Sequence, residues 1–146
     1  LHMEDFATFI GYRLKATMKK FEKYVSQLQD EFGLTLAQSH ILYTLLEKDG
    51  CTLTEIGNRA QIDNSSLTTM VDKLEKEGLV ERRLYAQDRR VVTLYLTDAG
   101  RELGLKTYNT GYDLNNLLKS KLGDIEEDFL KGLDIITETL ETKLTR

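Results

Sequence analysis

A change of hydrophobic period at Gly78 constrains this chain more than any other feature. In DNSSLTTMVDKLEKEGL (63–79), Leu67, Met70, Val71, Leu74 and Gly78 fall on one side of a helix. Gly78 stands where such a helix stops. The following VERRLYAQDRRVVTLYLT (80–97) is β-rich, and Val92, Leu94 and Leu96 alternate with Thr93 and Tyr95 as a half-buried strand requires. Residues 80–85 and 91–96 therefore read as a two-stranded ribbon, with 86–90 as the connection.

Helices are expected on both sides of this segment. Leu14, Met18, Phe21, Val25, Leu28 and Phe32 form a heptad-like stripe on a long helix over 6–32, stopped by Gly33. Thr35 with Gln38 makes a capping box for a second helix, 36–48, which carries His40 and stops at Asp49-Gly50. After an extended link at 51–53, expected to pair with the ribbon as a third strand, Thr52 with Glu55 opens a short helix through Ala60. Gln61-Ile62-Asp63 is the turn, and Asp63 or Asn64 caps the next helix.

Two helices joined by a tight turn make a helix-turn-helix, whose second helix presents its N-terminal residues to base edges in DNA. Ser65, Ser66, Thr68 and Thr69 are the candidate readers here, with Lys73 beside them. Hydroxyls donate or accept, and a threonine methyl can touch thymine, so the set permits readout without fixing a sequence. Asp72 shares that face and would repel phosphate unless paired, with Lys76 at i+4 as the expected partner. A net charge of −4 excludes indiscriminate nucleic-acid binding, so the distribution of charge decides. Residues 82–90 hold Arg82, Arg83, Arg89 and Arg90 against Asp88 alone, whereas 124–141 are strongly acidic. An arginine at the ribbon tip can enter the minor groove, where negative potential is focused, while its neighbours meet phosphates. Asp88, two positions before Arg90, is placed to hold it in one orientation.

Thr97 caps a further helix expected to reach about residue 121, although Gly104, Gly111 and Asn115-Asn116 weaken its centre. Gly123 breaks it. A last helix repeats Leu122, Ile125, Phe129, Leu133, Ile136, Leu140 and Leu144 at steps of three or four. Apolar helical faces at both ends exceed what one small unit can cover, and mutual burial across a two-fold axis, a homodimer, is the economical solution.

Catalytic and metal signatures point elsewhere. HExxH, Cys-x-x-Cys, a Gly-rich phosphate loop and GxSxG are all missing, so an enzyme is not expected. Asp124, Glu126 and Asp128 resemble the start of a calcium loop, but Phe129 occupies the position that needs glycine. Two histidines and one cysteine make a closed zinc site improbable, and neither a metal nor any cofactor is expected. Cys51, the sole cysteine, excludes an intramolecular disulfide. No apolar run approaches the roughly 18 to 20 residues that span a bilayer, so a cytoplasmic protein without membrane contact is expected.

The run D88-R-R90-V-V-T-L94-Y-L96-T97-D-A-G100 resembles the D-x-R, L-x-L-T, x-x-G pattern of the multiple-antibiotic-resistance regulator (MarR) family, and VDKLEKEGLVERR resembles its recognition-helix exit. The resemblance implies a mainly α fold: a winged helix-turn-helix with a small β-wing at 33–97, and N- and C-terminal helices, 4–32 and 98–146, forming a dimerisation domain. Arg90 would be the minor-groove arginine and Asp88 its orienting partner. Thr69 departs from the basic residue many relatives carry there. The implied function is a homodimeric, sequence-specific regulator, expected to be a repressor, that binds a pseudo-palindromic double-stranded operator. A small aromatic or anionic effector would relieve it, with Arg13, His40 and Tyr43 as candidate contacts. Two other readings stand beside it: a winged helix that binds protein rather than DNA, and a redox sensor using Cys51.

Overall fold

Capping geometry expected from the sequence starts two of the helices. The computed structural model describes residues 2–145. After a 3-10 turn, Phe6–Thr8, come α1 (Ile10–Gln29), α2 (Leu36–Glu47), β1 (Cys51–Thr52) and α3 (Leu53–Ala60). They are followed by α4 (Asn64–Lys76), β2 (Val80–Tyr85), β3 (Asp88–Leu96), α5 (Asp98–Leu122), a 3-10 turn Gly123–Ile125, and α6 (Glu126–Leu144). Thr35 Oγ1 accepts from Gln38 N at 3.2 Å while Gln38 Oε1 accepts from Thr35 N at 3.0 Å. Thr52 and Glu55 repeat the reciprocal pair at α3, both bonds at 3.2 Å. At α4 the expectation fails in part: Asp63 holds the N-cap position, but its carboxylate makes no capping bond. The preceding turn is set instead by Gln61, left-handed at φ 58°, and by Ile62 N donating to Gly57 O at 3.0 Å.

The chain divides into two compact units, one up to Asn109 and one from Thr110. In the first unit a core of Ile41, Leu42 and Leu45 from α2, Ile56 from α3, Leu67, Val71 and Leu74 from α4, and Leu94 from β3 is closed to solvent. This gathers the apolar sides of three helices against one strand, which is what the 3.6-residue and two-residue periods dictate. The sheet is antiparallel in the order β1-β3-β2, with Cys51 opposite Leu94 and Val80 opposite Leu96. β3 is thus the central strand. Thr93 is buried beside Leu94 because neighbours flank β3 on both sides, and the strict inside-outside alternation is lost there. The wing connection is shorter than expected. Tyr85 pairs with Asp88 across residues 86–87, so Arg89 and Arg90 belong to β3 rather than to the loop.

The L-x-L-T-x-x-G run builds a junction. Thr97 Oγ1 donates to Gly78 O at 2.6 Å and accepts from Gly100 N at 3.0 Å, while Thr97 N donates to Leu79 O at 3.1 Å. A β-carbon on Gly100 would collide with the Leu79 carbonyl, so only glycine lets α5 start this close to the end of α4. From the opposite side, Asp49 Oδ1 accepts from Leu96 N at 2.9 Å and its Oδ2 meets Arg101 at 3.3 Å.

Two helical expectations change. α5 is continuous over Asp98–Leu122 despite its glycines, one of which, Gly104, is buried: a β-carbon there would stand 3.2 Å from Leu46. The α1 stripe is only partly covered, with Val25 buried, Phe21, Leu28 and Phe32 half-buried, and Leu14 and Met18 exposed. In the second unit α6 contains no buried residue among those described, and Phe129, Leu130, Ile135 and Leu140 are all exposed. Gly100→Ala is expected to lower stability by about 1 to 3 kcal/mol in urea unfolding. Gly132→Ala in α6, where a β-carbon meets nothing within 4 Å, should be neutral or stabilising by under about 1 kcal/mol.

Candidate nucleic-acid interface

Residues singled out at the start of α4 are all exposed: Ser65, Ser66, Thr68 and Thr69, followed by Lys73. Their backbone is held from behind by Leu67, Val71 and Leu74 in the core, so the face they form is rigidly presented. Thr68 donates its hydroxyl to Asn64 O at 3.2 Å and keeps its lone pairs outward as acceptors.

On the wing, the Arg90 side chain is 91% exposed. Asp88 takes three bonds from it: from the backbone N at 3.0 Å, from Nε at 3.1 Å and from Nη2 at 3.2 Å. The same contacts hold the Asp88 carboxyl below the usual carboxylate range, the Arg90 side chain contributing most. A guanidinium fixed along one edge keeps its remaining donors free for a ligand in front of it. Arg83 lies with its guanidinium 4.0 Å from the centre of the Tyr95 ring and bonds Glu81 at 3.2 Å, and Arg89 is exposed.

Arg82 is placed differently from the sequence reading. It turns away from the outer surface onto α4, where Nη2 meets Asp72 at 2.5 Å and Nη1 meets Glu75 at 2.6 Å, with its backbone N also donating to Glu75. Asp72 is therefore paired across to the wing instead of with Lys76. The bond crosses from helix to strand, and helix periodicity carries no sign of it.

Of the candidate effector contacts, His40 and Tyr43 come together with ring centres 5.8 Å apart, and Tyr43 meets Tyr108 edge-on at 5.5 Å. Tyr43 also shares hydrogen bonds with Thr107 and Ser39, and burial pushes its hydroxyl pKa up. The α5 partners were not singled out in the sequence, where Thr107 and Tyr108 carry no motif. His40 borders a groove of about 650 Å³ between α1, α2, the α3–α4 turn and Lys73 of α4; Arg13 and Tyr43 lie outside its lining. Burial, then the nearby Arg59 charge, lowers the His40 pKa. Cys51 is buried in β1, donates to Lys48 O at 2.9 Å, and has its thiol pKa raised by burial and then by Glu55. A redox role needs an accessible thiolate, and these surroundings favour the thiol of a packing residue. Among the described residues no three His, Cys, Asp or Glu side chains are grouped to hold a metal ion, and no helix is long and apolar enough to cross a membrane.

Residues 34–92 match the MarR family. The chain is 33% identical over 91 residues to the HTH-type transcriptional repressor MdtR of Bacillus subtilis (strain 168), a stretch that covers 62% of this chain and 59% of that protein. The chain thus spans less than two thirds of that relative. Over 132 residues it is 27% identical to the organic hydroperoxide resistance transcriptional regulator of the same organism, covering 90% of this chain and 89% of the relative. Among solved structures, the transcriptional repressor CouR bound to a 23-mer DNA duplex superposes with a TM-score of 0.82 at 29% identity, over 94% of this chain and 98% of that one.

Because the folded chain holds His40 below its ordinary value of 6.5, the unfolded chain binds the proton more readily. Stability contributed by neutral His40 is present above pH 6.5 and lost as pH falls through the lowered folded value. Denaturant unfolding across pH 7.5 to 5 should show this loss in the parent and a flatter profile in His40→Gln.

Proposed function

We propose, from the premise that residues 34–92 of this chain are a MarR family domain, that the protein is a homodimeric, sequence-specific DNA-binding transcriptional regulator. The observation that carries the reading is the Asp88–Arg90 pair: a highly exposed arginine, oriented by its own strand, on a wing beside an exposed helix N-terminus rich in hydroxyls. In a duplex the wing arginine enters the minor groove, where negative potential is focused, while Ser65, Ser66, Thr68 and Thr69 reach major-groove edges. Lys73, Arg83 and Arg89 meet the phosphate backbone. An overall charge of −4 makes affinity depend on where the cations are grouped rather than on their total.

The dimer reading is supported by α6, whose apolar residues Phe129, Leu130, Ile135 and Leu140 find no cover within the chain. Phe129 and Leu140 lie on one side of the helix, and exposed apolar surface there is where a second copy docks. Two reading heads then address a pseudo-palindrome with half-site centres roughly 10 bp apart. The repressor names of MdtR and CouR support repression as the sign of regulation. Its place of action is the cytoplasm, where bacterial DNA lies.

Relief by a small aromatic or anionic molecule is supported by the groove that His40 borders, which runs from α1 to Lys73 on α4. A molecule there weakens DNA binding only if it favours a conformation unsuited to the operator, since differential affinity alone shifts an equilibrium. His40 supplies a ring contact in this groove and Lys73 a cation, whereas Tyr43 and Arg13 lie outside its lining.

Fluorescence anisotropy on a duplex selected by the protein from a random-sequence pool tests the reading: Arg90→Ala should cost about 1 to 3 kcal/mol of DNA affinity, and Lys73→Ala should lower the salt dependence by about one ion. A parent protein that selects no duplex would refute DNA binding, and a panel of phenolic acids that leaves operator affinity unchanged would remove the effector. In sedimentation equilibrium the parent should run as a dimer, and Phe129→Glu with Leu140→Glu as a monomer.

A further inference from the structure

Arg82 is the least exposed of three wing arginines whose surroundings can be compared: its side chain is 27% accessible, against 52% for Arg83 and 91% for Arg90. Both terminal nitrogens are committed, one to Asp72 and one to Glu75, so the guanidinium fork bridges two carboxylates one turn apart on α4. Asp72 lies on the same side of α4 as Ser65 and Thr69, the side that approaches phosphate if the helix reads DNA. An unscreened carboxylate there would repel the backbone, and Glu75 beside it would add to the repulsion.

We propose that Arg82 is a positioning residue that neutralises the acidic patch of the recognition helix, rather than a phosphate contact. This rests on the DNA-binding reading. Strand β2 delivers a cation to α4, so the helix keeps two acids near its reading face without the repulsion they would otherwise cause. The backbone bond from Arg82 N to Glu75 adds a second tie at the same place, fixing how the wing leaves the helix. Lysine could not replace it, since a single ammonium lacks the planar fork that spans both acids.

The test uses the full-length protein and a duplex it selects from a random-sequence pool, with Kd measured by anisotropy over a range of KCl. Arg82→Ala should weaken binding about tenfold, a loss of the size expected for one specific contact. Adding Asp72→Asn and Glu75→Gln to that variant should return Kd to within about threefold of the parent, with the parent's salt slope. A triple variant as weak as Arg82→Ala, with a salt slope shallower by about one, would make Arg82 a phosphate contact and overturn the proposal. So would an Arg82→Ala protein that binds like the parent. Thermal melts of each variant identify a loss that comes from unfolding, and the triple variant keeps the comparison open in that case. A parent that selects no duplex overturns the DNA reading and this role together, whereas a parent weakened by Arg90→Ala but not rescued in the triple variant fails this role alone.

Discussion

The close approach of the Gly100 backbone to the Leu79 carbonyl decides where α5 leaves the sheet. Thr97 ties the same corner from inside, accepting from Gly100 and donating to Gly78, so the exit of α4, the end of β3 and the start of α5 share one set of bonds. Asp49 closes the other side of β3 through Leu96 and Arg101. Close packing at such a corner tolerates no added atom, because the neighbour is backbone rather than a flexible side chain. The hydroxyl-rich face of α4 and the tip of the wing are therefore held at a fixed separation by groups that touch no ligand.

Charge in this protein is organised by pairing. Acids outnumber bases overall, yet Asp72, Glu75, Glu81 and Asp88 around α4 and the wing are each paired with an arginine. Asp88 spends its charge orienting Arg90, while Asp72 and Glu75 spend theirs on Arg82. Surface pairs contribute little to stability, on the order of 1 kcal/mol or less each. Their value here lies in geometry: each fixes the direction of a guanidinium or balances a carboxylate on the face proposed to meet DNA.

Local rules made much of this legible in the sequence. Both reciprocal caps lie within three residues, Gly50 and Gly78 take positive φ just past their helices, and the Asp88–Arg90 spacing is short enough to read directly, whereas α1 is shorter than its stripe suggests and ends at Gln29, before Gly33. Interactions between distant segments were not legible. The Arg82 bonds span seven and ten residues and depend on the angle between α4 and β2, which no periodicity encodes. Thr107 and Tyr108 join Tyr43 for the same reason, being brought to α2 only by the packing of α5. Strand pairing shortened the wing loop, since the ladder extends to Asp88 once Tyr85 finds its partner. Glycines in α5 misled through propensity: Gly104 serves close packing against Leu46, and tertiary contact outweighs the local cost.

A helix with no interior of its own has a consequence for how the protein responds to dilution. The first unit carries a closed core, whereas α6 buries nothing among the described residues. If its apolar side is covered by a second copy, the order of that helix is tied to the abundance of the chain by mass action. On that condition scarcity loosens α6 before it reaches the closed core of the first unit, and the abundance of the chain becomes an input to its state.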